Sequence, residues 1–218
     1  MLNVNYQKVC QDLISGLSPR QKDVILGRFG LNGGKRKTLE AVGNSFGVTR
    51  ERVRQIQDGA LEEIKSKSGA YKAIFQNFKK YFQGWGGLRK EDTMLSELGQ
   101  GKWQNQAYFL LSLESEFLRF GANKDFYPLW AAGQAALNKA QKIISSLTEA
   151  LAEVKKPLTL KEFANFTSQN ILVLESYLEV SKKIQKNSEG VFGLKDWPEI
   201  NPRGVKDRAY LLFKKTQE

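Results

Sequence analysis

Residues 38–64, TLEAVGNSFGVTRERVRQIQDGALEEI, constrain this chain more than any other stretch. Thr38 precedes a short apolar-periodic run that ends at Phe46 and Gly47, and Thr49 opens a second, longer one. Thr is a good N-cap and Gly a good helix stop, so the spacing predicts two helices joined by a tight turn. The second helix carries Arg50, Arg52 and Arg54 within five residues. That is the pattern of a helix-turn-helix whose second helix lies against a polyanion.

At 100° per residue with Val53 at zero, Ile56, Gln57, Ala60, Leu61 and Ile64 fall within about 80° and form the buried face. Glu51, Gln55, Asp58 and Glu62 fall opposite, flanked by Arg50 and Arg54 on one side and Arg52 on the other. Groups able to read base edges thus sit between groups able to hold phosphates. Arg50 suits guanine, Gln55 suits adenine, and Glu51 can accept from a cytosine amino group. Asp58 and Glu62 would repel phosphate, so only the first two turns are expected to enter a groove. The competing reading is an arginine-rich surface helix solvated by water and paired with its own acids. The capped helix before it, the Gly47 turn and the basic run Lys35-Arg36-Lys37 favour duplex DNA.

The charge agrees with a polyanionic partner. The chain of 218 residues has 34 basic and 23 acidic side chains, a net charge of +11. Residues 1–67 hold 12 of the basic and 7 of the acidic groups, the densest excess per residue. Such a field suits nucleic acid or an acidic membrane surface. No apolar run reaches the roughly 18–20 residues that span a bilayer, and the N-terminus does not read as a signal peptide. A single cysteine, Cys10, fits a reducing cytoplasm. Neither membrane nor small-molecule partner is expected.

Ahead of the two-helix segment, residues 3–16 read as a helix. Ser18-Pro19-Arg20-Gln21 reads as a capping box with proline at the first helical position, and Gly30 stops the helix it opens. The loop LNGGKRK that follows reads as flexible and basic. Residues 1–67 are therefore expected to be one helical domain. Beyond it, 70–83 is an aromatic helical pattern, broken at Gly84-Trp85-Gly86-Gly87. A short helix at 90–98, a longer one at 104–118 and a hairpin over 117–130, turning at Ala122-Asn123-Lys124, complete a winged-helix-like module, 70–133. Residues 134–218 repeat that order: a helix at 136–154, a short one at 158–166, a long one at 168–186, and a wing at 191–197. Both wings end in tryptophan, Trp130 and Trp197. The fold class expected is mainly α, with short β-hairpins.

No catalytic arrangement is found. The chain has no histidine, and one cysteine makes no zinc site. The string around Gly33-Gly34-Lys35 fails the P-loop pattern, with Phe29 at its first glycine position and Arg36 at its hydroxyl position. The aromatics Phe75, Phe78, Tyr81 and Phe82 lie at helical spacing and are read as core. No enzyme activity, cofactor or metal is expected.

Residues 17–66 resemble region four of the bacterial sigma-70 family, the specificity subunits of RNA polymerase. LSPRQKDVILGRFGL is similar to its first half, TLEAVGNSFGVTRERVRQIQDGAL to its helix-turn-helix, and TRERVRQI is the most specific string. The resemblance implies a compact helical domain that reads an upstream promoter element and docks on the polymerase flap. It implies base contacts by Arg50, Glu51 and Gln55. It places Thr38, Thr49, Arg52 and Arg54 near the DNA backbone, where Lys35, Arg36 and Lys37 join them. Gln57 and Asp58 depart from the family, which there has an acidic and then a small residue. Nothing outside this stretch resembles the promoter-melting region of a complete sigma factor, so a reader without melting capacity is expected. The segment GVFGLKDWPEINPRGVKDRAYLLFKK resembles helix-extended winged-helix modules of bacterial polymerase accessory proteins, with Pro198 and Pro202 read as fixing a turn.

The function expected is therefore a sequence-specific DNA-binding transcription factor, cytoplasmic and associated with the nucleoid. The alternative is an interaction protein whose sigma-like domain docks on polymerase or a regulator.

Overall fold

The computed structural model describes residues 4–215, so Asn3, where the first helix was expected to begin, lies outside the described residues. The chain divides into two compact units. One comprises the residues up to Tyr81 together with Asp92–Phe117, the other Phe82–Glu91 together with the residues from Leu118 on.

In the first unit the helices are α1 (Tyr6–Ile14), α2 (Pro19–Phe29), α3 (Leu39–Phe46) and α4 (Arg50–Lys67). A 3-10 turn, Ser68–Tyr71, leads into α5 (Lys72–Gly84), which belongs to this unit as far as Tyr81. After a short strand come α6 (Glu91–Leu98), in this unit from Asp92 on, and α7 (Gln104–Leu111). The capping box at Ser18 forms, with Gln21 Oε1 accepting from the Ser18 amide at 3.1 Å, and Gly30 ends α2 at φ 64°. Val24, Val42 and Val53, one from each of α2, α3 and α4, bury together, with Leu39, Phe46, Val48 and Ile56 packed around them.

The expected boundary at residue 67 is not a boundary of packing. Phe29 meets Phe109 of α7 edge-on at 5.1 Å between ring centres, and Tyr6 stacks on Phe78 of α5 at 6.3 Å. The aromatic rings on α1 and α2 bury against α5 and α7 because four short helices cannot cover them. The helix expected over 104–118 stops at Leu111, and Phe117 begins a strand instead.

The second unit holds β1 (Leu88–Lys90), β2 (Phe117–Phe120, whose first residue belongs to the other unit) and β3 (Leu129–Ala132), in the sheet order β1-β3-β2. The hairpin turn is fastened by Asn123, whose side-chain oxygen accepts from the amides of Asp125 and Phe126, each at 2.8 Å. Then come α8 (Gln134–Val154), α9 (Leu160–Ala164), α10 (Ile171–Val180), the hairpin β4 (Ile184–Lys186) and β5 (Phe192–Leu194), and α11 (Val205–Lys215). Leu158 bridges Phe192 of β5, which gives the order Leu158-β5-β4. Along the chain α5, β1, α6, α7 and the hairpin β2–β3 are followed by α8, the bridge residue Leu158, α9, α10 and the hairpin β4–β5. β1 and Leu158 each lie beside the second strand of the hairpin that follows.

The helix expected over 168–186 ends at Val180, and residues 184–186 are strand. Helical spacing alone does not separate the two, since Val180 and Ile184 are four apart and both buried. What ends the helix is non-local: the Val180 carbonyl accepts from Tyr127 N at 3.0 Å and Lys182 N donates to Asp125 O at 2.8 Å. The Ser181 hydroxyl then takes the amides of Lys183 and Ile184. Trp197 lies over β5, where a Cβ on Gly193 would come within 2.9 Å of its ring. The run from Trp197 to Asn201 closes into a turn through the Trp197 carbonyl, with Pro198 inside it. Among the described residues no helix is long and apolar enough to cross a membrane.

Candidate nucleic-acid interface

Two threonines start the two helices that matter. Thr38 Oγ1 accepts from Ala41 N at 3.1 Å, and Thr49 Oγ1 from Arg52 N at 3.2 Å. Each satisfies one orphan amide of its first turn, and the others remain at the positive end of the helix dipole. The turn between α3 and α4 needs two glycines. Gly47 sits at φ 65°, and a Cβ on Gly43 would lie 2.6 Å from the Val48 carbonyl oxygen. This close approach sets the angle at which α4 leaves α3.

Val53, Ala60 and Ile64 of α4 are buried, while Arg50, Glu51, Arg52, Arg54 and Gln55 are exposed together at its N-terminal end. The side chains are organised before any ligand arrives. Arg54 donates to both oxygens of Glu51, at 3.0 and 2.7 Å, and to Asp58 at 2.7 Å. Arg52 donates to Gln55 Oε1 at 3.2 Å. The Arg54 hydrogen bond is the largest effect on the Glu51 carboxyl and holds it below the usual carboxylate range. Desolvation comes next and opposes it, and attraction to Arg54, a Gln55 hydrogen bond and attraction to Arg50 lower it further. Arg54 in turn is held above its ordinary value, first by the Glu51 hydrogen bond. Arg54, Glu51 and Asp58 keep 51, 59 and 47% side-chain exposure, so solvent competes for every one of these bonds and they can exchange for others. Arg50 has no hydrogen-bond or ion-pair partner among the described residues.

The basic loop before α3 is not the flexible segment expected. The Asn105 amide on α7 donates to the carbonyls of Gly30 and Gly34, at 3.1 and 3.0 Å. Arg36 lays its guanidinium over the Tyr108 ring, 4.0 Å from its centre. Lys37 is anchored through its backbone, its amide to Gly27 O at 3.1 Å and its carbonyl to Arg28. Asn105 and Tyr108 lie more than 70 residues along the chain on α7, and Gly27 and Arg28 lie back on α2, which is why local composition reads as a free loop. Lys35 and Lys37 keep exposed side chains beside it.

Sequence reasoning missed two arginines. Arg20 packs its guanidinium on the Phe46 ring, 4.2 Å from its centre, beside the turn. It shares with Ser18, Gln21, Arg52, Gln55 and Gly59 the wall of a cavity of about 340 Å³ between the start of α2 and α4. Arg28 donates to Gln57 Oε1 at 2.9 Å, and burial lowers its pKa first of all. Gln57, one of the family departures, is therefore the acceptor that holds Arg28. Neither arginine carries a local signal, because its partner is reached only by tertiary packing. Among the described residues no group of His, Cys, Asp and Glu side chains could hold a metal ion.

Residues 13–66 match the family model described as Sigma-70, region 4. They form a sigma region-four domain. Over 55 residues the chain is 49% identical to RNA polymerase sigma factor SigA1 of Synechococcus elongatus, covering 25% of this chain and 14% of that protein. It is 47% identical over 55 residues to the sigma factors SigA of Nostoc and of Synechocystis, again 25% of this chain, and 14 and 13% of theirs. The chain thus spans about a seventh of the length of the curated relatives it matches.

Proposed function

We propose that this protein is a sequence-specific, double-stranded DNA-binding transcription factor that reads a promoter-like element through the first two turns of α4. One observation carries the reading: a sigma region-four helix-turn-helix holds Arg50, Glu51 and Gln55 exposed at the end of a helix whose opposite face is buried. In this reading those three contact base edges. Lys35, Arg36, Lys37, Thr38, Thr49, Arg52 and Arg54 grip the backbone. Arg54 does so by exchanging Asp58 for phosphate while keeping Glu51 oriented. The helices that occupy the third position of each winged-helix-like module support placing base reading in α4. Neither α7 (QNQAYFLL) nor α10 (ILVLESYLEV) has a basic residue.

The protein acts without catalysis and without melting its promoter, in the cytoplasm at the nucleoid, with the flap of RNA polymerase as a second partner. Selection of bound duplexes with purified protein, at two salt concentrations, tests it. An enriched motif whose base preference is relaxed by Gln55→Ala is the expected result; no enrichment, or an unchanged preference, would overturn it.

A second reading is favoured by the Arg54–Glu51–Asp58 network, which occupies the reading face with intrahelical bonds. In that case the domain docks on polymerase or a regulator and DNA contact is incidental. A triple alanine variant of Arg50, Glu51 and Gln55 that keeps both polymerase capture and activity in cells would favour this reading; loss of activity in cells would favour the first.

A further inference from the structure

The second unit brings three segments, remote in sequence, to one aromatic ring. Tyr127 precedes β3, Lys90 ends β1, and Lys182 lies between α10 and β4. Lys90 Nζ stands 4.6 Å from the centre of the Tyr127 ring and Lys182 Nζ 5.4 Å from the same centre, so the two ammonium groups are at most 10 Å apart. The arrangement is built by the backbone. Tyr127 N donates to Val180 O at 3.0 Å, Lys182 N to Asp125 O at 2.8 Å, and Lys182 Nζ to Asn123 O at 2.7 Å. The Gln185 amide donates to the Tyr127 hydroxyl at 3.5 Å and to the Lys182 carbonyl at 3.4 Å, which ties the Lys182 backbone to the ring.

The acids nearby are already taken. Asp125 pairs with Lys183 at 3.1 Å, and Glu179 with Arg89 at 2.7 Å. Glu91, next to Lys90 in the chain, is buried and accepts from Arg119 at 3.0 Å and Trp130 at 2.9 Å. Neither Lys90 nor Lys182 has an ion pair among the described residues. Two like charges held at one ring repel each other, and the ring quadrupole offsets only part of that. An anion placed between them removes the repulsion. Lys186 and Lys195, on the hairpin that follows and just after it, are exposed as well.

We propose that Lys90 and Lys182, gathered at the Tyr127 ring, form a phosphate-binding patch for the backbone of duplex DNA, a sequence-independent contact separate from α4. This rests on the reading of the chain as a DNA-binding protein. The patch lies outside the region-four match and gives the second unit a role in affinity while α4 keeps specificity. Ammonium groups contact phosphate as point charges and carry no sequence information.

The test uses the full chain and two duplexes, one with the selected site and one scrambled, titrated across salt concentrations. The double variant Lys90→Gln/Lys182→Gln is expected to lower the slope of log K against log salt by about 1.8, for two phosphates at ~0.9 each. Affinity for both duplexes should fall by the same factor, on the order of tenfold or more at low salt. The charge-preserving Lys90→Arg/Lys182→Arg variant should keep the slope, which separates lost charge from lost fold. An unchanged slope in the glutamine variant, with Gln55→Ala still relaxing base preference, overturns the patch and leaves α4 standing. Loss of binding to anionic phospholipid vesicles but not to DNA also overturns it. If no motif is enriched yet the glutamine variant still weakens non-specific duplex binding, the patch holds and the α4 reading falls.

Discussion

Arg54 grips Glu51 through two parallel hydrogen bonds, at 2.7 and 3.0 Å, one turn along the same exposed helix. The bond favours the ionised carboxyl, so its pKa is lowered. The sign follows: a depressed folded-state pKa adds stability above the unfolded value, and that stability is lost as pH falls through the folded one. In a side-chain NMR titration Glu51 should have a midpoint below the ordinary carboxylate range, and Arg54→Ala should return it there. A midpoint that Arg54→Ala leaves in place would show that the pair does not persist in solution.

Asn105 clasps the basic loop through two carbonyls. At about 0.5–1.5 kcal/mol for each hydrogen bond, Asn105→Ala should cost roughly 1–3 kcal/mol in urea unfolding. Amides of residues 31–36 should also exchange faster with solvent. Exchange as slow as in the parent protein would mean that the loop is held by other contacts.

Gly30→Ala should be worse than its size implies. Gly30 has φ 64°, and a Cβ there would lie 2.5 Å from the Gly34 carbonyl oxygen and 2.6 Å from the Asn105 amide nitrogen. Strain and displacement of the clasp act together, so destabilisation of more than about 1 kcal/mol is expected. A thermal melt with no downward shift would contradict this account.

Phe109 is fully buried against Phe29, whereas Phe213 of α11 is 71% exposed. Phe109→Ala should cost about 3–5 kcal/mol and loosen the region-four helices that α7 supports. Phe213→Ala should stay within about 0.5 kcal/mol. Chemical denaturation of the pair, run side by side, checks both; equal losses would refute the packing role given to α7.

Cys10 is 2% exposed, and desolvation pushes its thiol well above the ordinary value. A thiol-specific reagent should therefore modify the native protein slowly, at a rate set by opening of the fold, and rapidly in denaturant. Rapid labelling without denaturant would place α1 elsewhere.

Much of the first unit was legible because its signals are local. A capping box acts over three residues, a helix stop needs one glycine, and a helical face repeats every three or four positions. Ser18 with Gln21, Gly30, Thr38, Gly47 and Thr49 therefore act where the residue order places them. The resemblance to region four added the likeness to sigma factors on the same residues.

What the residue order did not reveal depends on partners far along the chain. Residues 184–186 keep a helix-compatible spacing and become strand because residues 125–127 capture the backbone that precedes them. The loop at 30–36 reads as free until Asn105 and Tyr108 reach it from α7. Lys90 and Lys182 are unremarked lysines until one tyrosine gathers them. Caps, turns and amphipathic faces follow from neighbours three or four residues away, and the sequence determines those by itself. Which backbone group bonds across more than 50 or 70 residues depends on how whole elements close on one another, and only the tertiary structure decides that.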